Sequence, residues 1–176
     1  MSGLCRQVPH TQGEDQMDFN FLEIGRFGKR PFAIVSDSLI TEFESAYCIK
    51  LPKLYVQLLI FSNGGTLEVN EYHDPIMRIG RINDFYGIRQ RSYDEKEEAK
   101  GRLDLGSLWG ETRIFRKKRN EAGVPFAQDA GGNQLFLNYA TPTVRVSRFL
   151  NEGRKVYDIA NDFESFLKLL RPPTTN

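Results

Sequence analysis

Leu51-Pro52-Lys53-Leu54-Tyr55-Val56-Gln57-Leu58-Leu59-Ile60-Phe61-Ser62-Asn63-Gly64-Gly65 is the stretch on which the reading of this chain turns. Pro52 suits the first position of a helix, where a missing N–H costs nothing. Lys53 to Phe61 is apolar nearly all round, which predicts the most buried helix of the protein. Asn63-Gly64-Gly65 stops it, because glycine reaches the left-handed conformation of a helix C-terminus. Immediately upstream, Ile40, Phe43 and Tyr47 recur at helical spacing with Glu42 and Glu44 among them, and Asp37 or Ser38 is the expected cap. A pair of helices therefore opens the domain. Cys48 falls in the same apolar stretch and reads as a small buried hydrophobe.

Working outward, residues Ser2 to Gln16 are polar and without periodicity, so residues 1–30 are expected to form a partly ordered extension. Phe19 to Ile24 is apolar enough to dock on the body, as helix or strand. Beyond the glycine pair the pattern shortens. Leu67 and Val69 flank Glu68 in strand alternation, while Ile76, Ile79 and Ile82 are less regular. Asp84 to Asp104 mixes acids with bases and reads as an exposed loop or a solvated helix. Thr112 to Phe115 is a candidate strand. Val124 to Ala127 meets Gln134 to Tyr139 across Gln128-Asp129-Ala130-Gly131-Gly132-Asn133, whose glycines, Asp and Asn supply turn geometry. Thr143 to Ser147 and Lys155 to Ala160 continue as strands. Asn161 with Glu164 resembles a capping box. Phe163, Phe166, Leu167 and Leu170 then form the stripe of a closing helix that Pro172-Pro173 ends. Helix, helix, strands, helix is an α+β order. It implies a mainly antiparallel sheet with helices on one side and a second face at least partly open.

Composition bounds the function. The chain has 176 residues, 40% hydrophobic and 27% charged, with a formal charge of +1. That is enough for a self-sufficient core, and it gives no whole-protein pull toward nucleic acid or membranes. No apolar run approaches the roughly 20 residues of a membrane span, and Met1 to Asp18 lacks the apolar stretch of a secretory signal. A cytoplasmic protein is expected, with a monomer favoured.

Chemistry is sparse. The only histidines are His10, in the extension, and His73, in the expected loop Asn70 to Pro75. Metal sites take three or four ligands with recognisable spacing, so His73 reads as a surface residue. A Cys48–His73 dyad is disfavoured, because burial deadens a thiol. Gly64-Gly65 follows a helix and Gly131-Gly132 joins strands, whereas a phosphate loop precedes a helix. No enzyme, metal or cofactor is expected. Two charge runs stand out. Arg113-Ile114-Phe115-Arg116-Lys117-Lys118-Arg119 reads first as a solvated strand end, and otherwise as a phosphate-binding patch or an interface with an acidic protein. Asp94-Glu95-Lys96-Glu97-Glu98 reads first as a solvated segment and second as a contact for a basic surface, such as the cleft of a nuclease. Trp109 is a buried anchor or an exposed partner contact.

Taken in order, Ile40-x-x-Phe43-Glu44, Leu51-Pro52-x-x-Tyr55-x-x-Leu58-Leu59, Asn63-Gly64-Gly65, Val124-Pro125-Phe126-Ala127-x-Asp129-x-Gly131-Gly132-Asn133 and Phe163-x-x-Phe166-Leu167 resemble the SUKH superfamily. That superfamily includes fungal regulators of cell-wall synthesis and many bacterial immunity proteins. The resemblance implies a strongly bent sheet with helices packed around it over residues 31–171, followed by a tail at 172–176. It also implies a non-enzymatic antidote that binds a toxin, often a nuclease, and blocks it. The chain departs from the pattern at Arg148-Phe149-Leu150-Asn151-Glu152, where many members carry an aromatic-x-Asp-His-Glu-like segment. Glu44, Pro52, Tyr55, Asn63, Gly64, Gly65, Asp129, Gly131, Gly132, Phe163 and Phe166 have structural explanations. The expected function is neutralisation of a cognate toxin by occlusion of its active site or substrate cleft, with Asp94, Glu95, Glu97, Glu98 and Trp109 as contacts. A regulatory scaffold, and after it a nucleic-acid-binding module, are the alternatives.

Overall fold

The computed structural model describes residues 17–22, 24–25, 34–91, 106–118 and 122–174. Among the described residues four α-helices, α1 (Asp37–Tyr47), α2 (Lys53–Phe61), α3 (Leu108–Lys118) and α4 (Phe163–Leu169), accompany nine strands. The strands are β1 (Ile24–Gly25), β2 (Gly65–Leu67), β3 (Glu71–Asp74), β4 (Arg78–Arg81), β5 (Asp84–Phe85), β6 (Gly123–Gln128), β7 (Gln134–Asn138), β8 (Arg145–Leu150) and β9 (Lys155–Ala160). Seven form one antiparallel sheet in the order β1-β2-β5-β6-β7-β8-β9, while β3 and β4 form a separate hairpin. This is the expected α+β class.

Register decides which face each side chain takes. Leu135 pairs with Arg148 and Leu137 with Val146. Leu135, Leu137 and Val146 belong to the main core, together with Phe43 of α1, Tyr55 of α2 and Phe163 and Phe166 of α4. The alternate residues Phe136 and Phe149 point the other way. There Phe115 of α3 covers them, with ring centroids at 4.8 and 5.8 Å. The second face is therefore open only in part. Gly123 makes this contact possible, since a Cβ there would lie 2.3 Å from the Phe115 ring.

Several local expectations shift. Ser36, not Asp37 or Ser38, caps α1, accepting the Leu39 N–H at 3.3 Å. Cys48 is exposed, not buried, because it occupies the left-handed C-cap of α1 (φ 50°) and points its thiol at the Ser45 carbonyl. Pro52 is the N-cap of α2, and the helix ends at Ser62, before the glycines. That helix is less buried than its composition suggests: Ile60 and Phe61 are exposed, while Tyr55, Val56, Leu58 and Leu59 are buried. Asp162, not Asn161, caps α4 through the Ser165 N–H at 2.6 Å. His73 lies in a strand rather than a loop, and it is exposed. Asp84, Phe85, Tyr86 and Ile88 are buried, so the expected exposed segment does not begin at Asp84. Residues 92–104 of that segment lie outside the described residues.

The largest correction is α3. Thr112 to Phe115 is helical, not a strand. Leu108, Glu111, Thr112 and Phe115 are all buried, which is the i, i+3, i+4, i+7 stripe of an amphipathic helix. Two of the four are polar, so a count of apolar spacing does not see the stripe. Glu111 is tolerated inside because the Gln134 amide donates to it at 2.8 Å, satisfying a buried charged group.

Candidate partner-binding surface

The β3–β4 hairpin is the part of the molecule that stands outside the main sheet. Its sequence, Glu71-Tyr72-His73-Asp74-Pro75-Ile76-Met77-Arg78-Ile79-Gly80-Arg81, alternates between two faces. Tyr72 is fully buried and meets the Phe166 ring edge-on at 5.8 Å. Gly80 sits opposite Tyr72, and a Cβ there would fall 2.1 Å from its ring. On the other face His73 pairs with Ile79, and both are exposed. Ile76 and Met77, in the connecting turn, are each 56% exposed, and Ile79 is 45% exposed. Contiguous apolar side chains on a surface mark a contact site.

Three anchors hold this hairpin. Tyr72 is the first. Asp74 is the second, with 0% exposure. Its Oδ1 accepts the N–H groups of Ile76 and Met77 at 2.9 and 2.7 Å, which shapes the turn. Its Oδ2 accepts from Arg148 Nη1 at 2.6 Å, and the Tyr157 hydroxyl donates to it at 3.0 Å. Arg148, 3% exposed, reaches with Nη2 to Asp129 Oδ2 at 2.5 Å. Asp129 in turn accepts the Gly131 and Asn133 N–H groups at 2.9 Å each. One buried guanidinium thus ties the turn of β3–β4 to the turn of β6–β7. Burial pushes the Asp74 carboxyl up, but the Met77 N–H, Arg148, the Ile76 N–H and Tyr157 outweigh it and hold the group below the ordinary carboxylate value. Burial and Asp74 together push the Tyr157 phenol up to about 12, so it stays a donor at neutral pH.

Glu71 is the third anchor. The chain beyond α4 returns across β3, with Glu71 and Arg171 exchanging main-chain hydrogen bonds at 3.1 and 2.9 Å. The Thr174 hydroxyl and N–H donate to Glu71 Oε2 at 2.6 and 3.0 Å, and Arg81 donates twice to Oε1. The Thr174 hydroxyl leads these contacts, which together lower the Glu71 carboxyl to about 2.

The residues singled out from sequence are placed as follows. Glu44 is buried and accepts the Leu51 N–H at 2.9 Å, bracing the link between α1 and α2. Asn63 bonds both the N–H and the carbonyl of Ile88, at 2.6 and 2.7 Å. Gly64 (φ 85°) connects to β2, which Gly65 begins, and Gly132 (φ 72°) lies in the β6–β7 turn with Gly131. Tyr55 packs its ring on Phe126 and Phe163. Trp109 is only 5% exposed, lies against Phe43 and donates its indole N–H to the Arg89 carbonyl at 2.9 Å. It is a core anchor and not a surface contact. Asp94, Glu95, Glu97 and Glu98 lie outside the described residues.

The basic run is divided by its helix. Arg116 turns in, lying 4.8 Å over the Tyr47 ring and donating to the Gly123 carbonyl at 3.1 Å. Lys117 and Lys118 are exposed in the last turn of α3, where positive charge offsets the negative helix end. Arg119 lies outside the described residues. A shallow groove of about 330 Å³ between α1 and Arg89 to Arg91 is lined by Ser36, Ser38 and Glu42 among others. Among the described residues no group of His, Cys, Asp and Glu could hold a metal ion, and no helix is long and apolar enough to cross a membrane.

The Arg148–Asp74 lock was missed by sequence reasoning. Arg148 stands inside the segment noted as departing from the family pattern, and that departure was the only signal. No curated protein matches the chain. The model of the SMI1 / KNR4 family (SUKH-1) matches residues 34–169, well over half of its length. With the motifs in place on the α+β scaffold described above, the chain belongs to the SMI1 / KNR4 family (SUKH-1).

Proposed function

We propose that this protein is an immunity protein that binds and neutralises a cognate bacterial protein toxin of the nuclease class, by occluding its active site or substrate cleft. The family supports it, since SUKH members are generally non-enzymatic immunity or regulatory proteins. The observation that carries it is the hairpin: exposed Ile76, Met77 and Ile79 on a frame locked by buried ion pairs. An apolar hairpin held by buried ion pairs is pre-organised and loses little entropy on association, which favours tight protein binding. Asp94, Glu95, Glu97 and Glu98 are the proposed contacts for the basic cleft of such a toxin. The test is co-expression with the toxin gene from the same locus. Survival should be restored; equal killing with and without this chain removes the reading.

The second reading is a regulatory scaffold, which the same family membership supports. A single stoichiometric partner in a pull-down favours immunity. Several sub-stoichiometric partners favour the scaffold.

A further inference from the structure

We propose that the outer face of the β3–β4 hairpin is the docking surface itself, and that the partner protein meets it with an apolar pocket rimmed by carboxylates. The inference rests on the immunity reading only for the identity of that partner. The apolar part follows from Ile76, Met77 and Ile79, three large side chains exposed within four residues. The charge follows from an inventory of residues 71–81. The acids there are Glu71 and Asp74, and both are completely buried. The bases are Arg78 and Arg81, both exposed, with Arg171 beside them on the returning chain. Arg81 and Arg171 share the single carboxylate of Glu71, and Arg78 adds a third base, so the accessible excess charge of the hairpin is positive and a complementary rim is negative.

A second copy of this chain fits poorly, because a two-fold hairpin-to-hairpin contact sets arginines against arginines. A nucleic acid fits poorly too, because Ile76, Met77 and Ile79 put three apolar side chains on this surface and His73 is the single exposed ring beside them. An anionic membrane could accept the same residues, but a locked hairpin is matched to a fixed counterpart rather than a fluid one.

The experiment places a photo-crosslinking benzoylphenylalanine at position 77 of the full chain, with position 60 on α2 as control, in cells carrying the co-encoded toxin. One adduct should form from position 77 and not from position 60. Its yield should fall at least about fivefold with Arg78→Asp, a residue that tolerates the left-handed backbone there (φ 67°). Ile76→Ser with Met77→Ser should weaken the purified complex by about a hundredfold or more, with the melting temperature nearly unchanged. No adduct at 77, equal adducts at 60 and 77, or a yield indifferent to Arg78→Asp overturns the proposal. So does co-sedimentation with phosphatidylserine vesicles that the serine pair abolishes. An adduct with a protein harmless on its own sinks the immunity reading and leaves the surface. Full protection by the serine pair sinks the surface and leaves the immunity reading.

Discussion

Replacing Arg148 by Met tests the lock beneath the hairpin. Met matches the length of the aliphatic stem and removes the guanidinium. Asp74 and Asp129 then lose their shared counter-charge. Removing one partner of a buried ion pair typically costs about 3–5 kcal/mol. Asp129 keeps its bonds from Gly131 and Asn133 and is 11% exposed, so most of the cost falls on Asp74. Asp74 keeps two N–H donors and the Tyr157 hydroxyl, which places the expected loss near the low end, about 3 kcal/mol. That is a sizeable fraction of an ordinary domain's stability.

Urea unfolding at neutral pH measures this loss, and the pH dependence gives its signature. In the native protein the Asp74 carboxyl sits below its ordinary value, because burial is outweighed by the Met77 N–H, Arg148, the Ile76 N–H and Tyr157 together. Its contribution is therefore present above the unfolded value and is lost as pH falls through the folded one. In Arg148→Met, burial acts without the guanidinium and raises the group. The penalty is then greatest near pH 7 and shrinks on acidification. The gap between the two proteins should narrow as pH falls toward the native Asp74 value, and hydrogen exchange at Ile76 and Met77 should accelerate. A cost below about 1 kcal/mol, or a gap that widens in acid, refutes the reasoning.

Tyr55→Phe should be neutral or raise stability by about 1 kcal/mol in thermal unfolding, because its buried hydroxyl has no hydrogen-bond partner among the described residues. Gly80→Ala should cost about 1–3 kcal/mol in urea, since the new methyl drives into the Tyr72 ring; an unchanged midpoint would mean the hairpin shifts freely. Glu71→Gln should speed hydrogen exchange at Arg171 and Thr174. In the native protein that segment should stay docked at neutral pH. Its Glu71-linked stability is present above 4.5 and is lost only as pH falls through about 2, which amide exchange at pH 4 can check.

Sequence alone determined what neighbours along the chain determine. The apolar runs of α1 and α2, the Asp-Ala-Gly-Gly-Asn turn between β6 and β7 and the Phe163–Phe166 stripe follow from periodicity and turn chemistry, and their order revealed the family. The tertiary structure decided everything that depends on distant partners. Arg148 reads as one more surface base until Asp74, 74 positions away, and Asp129, 19 away, converge on it. Leu108 to Lys118 is a helix because Glu111 and Thr112 find buried places that their polarity conceals. Cys48 is exposed because a left-handed cap turns it outward, and Trp109 is buried because Phe43 and the Arg89 carbonyl receive it. Local rules act through adjacent residues, whereas burial of a charge requires a counter-charge that only the closed fold can bring near.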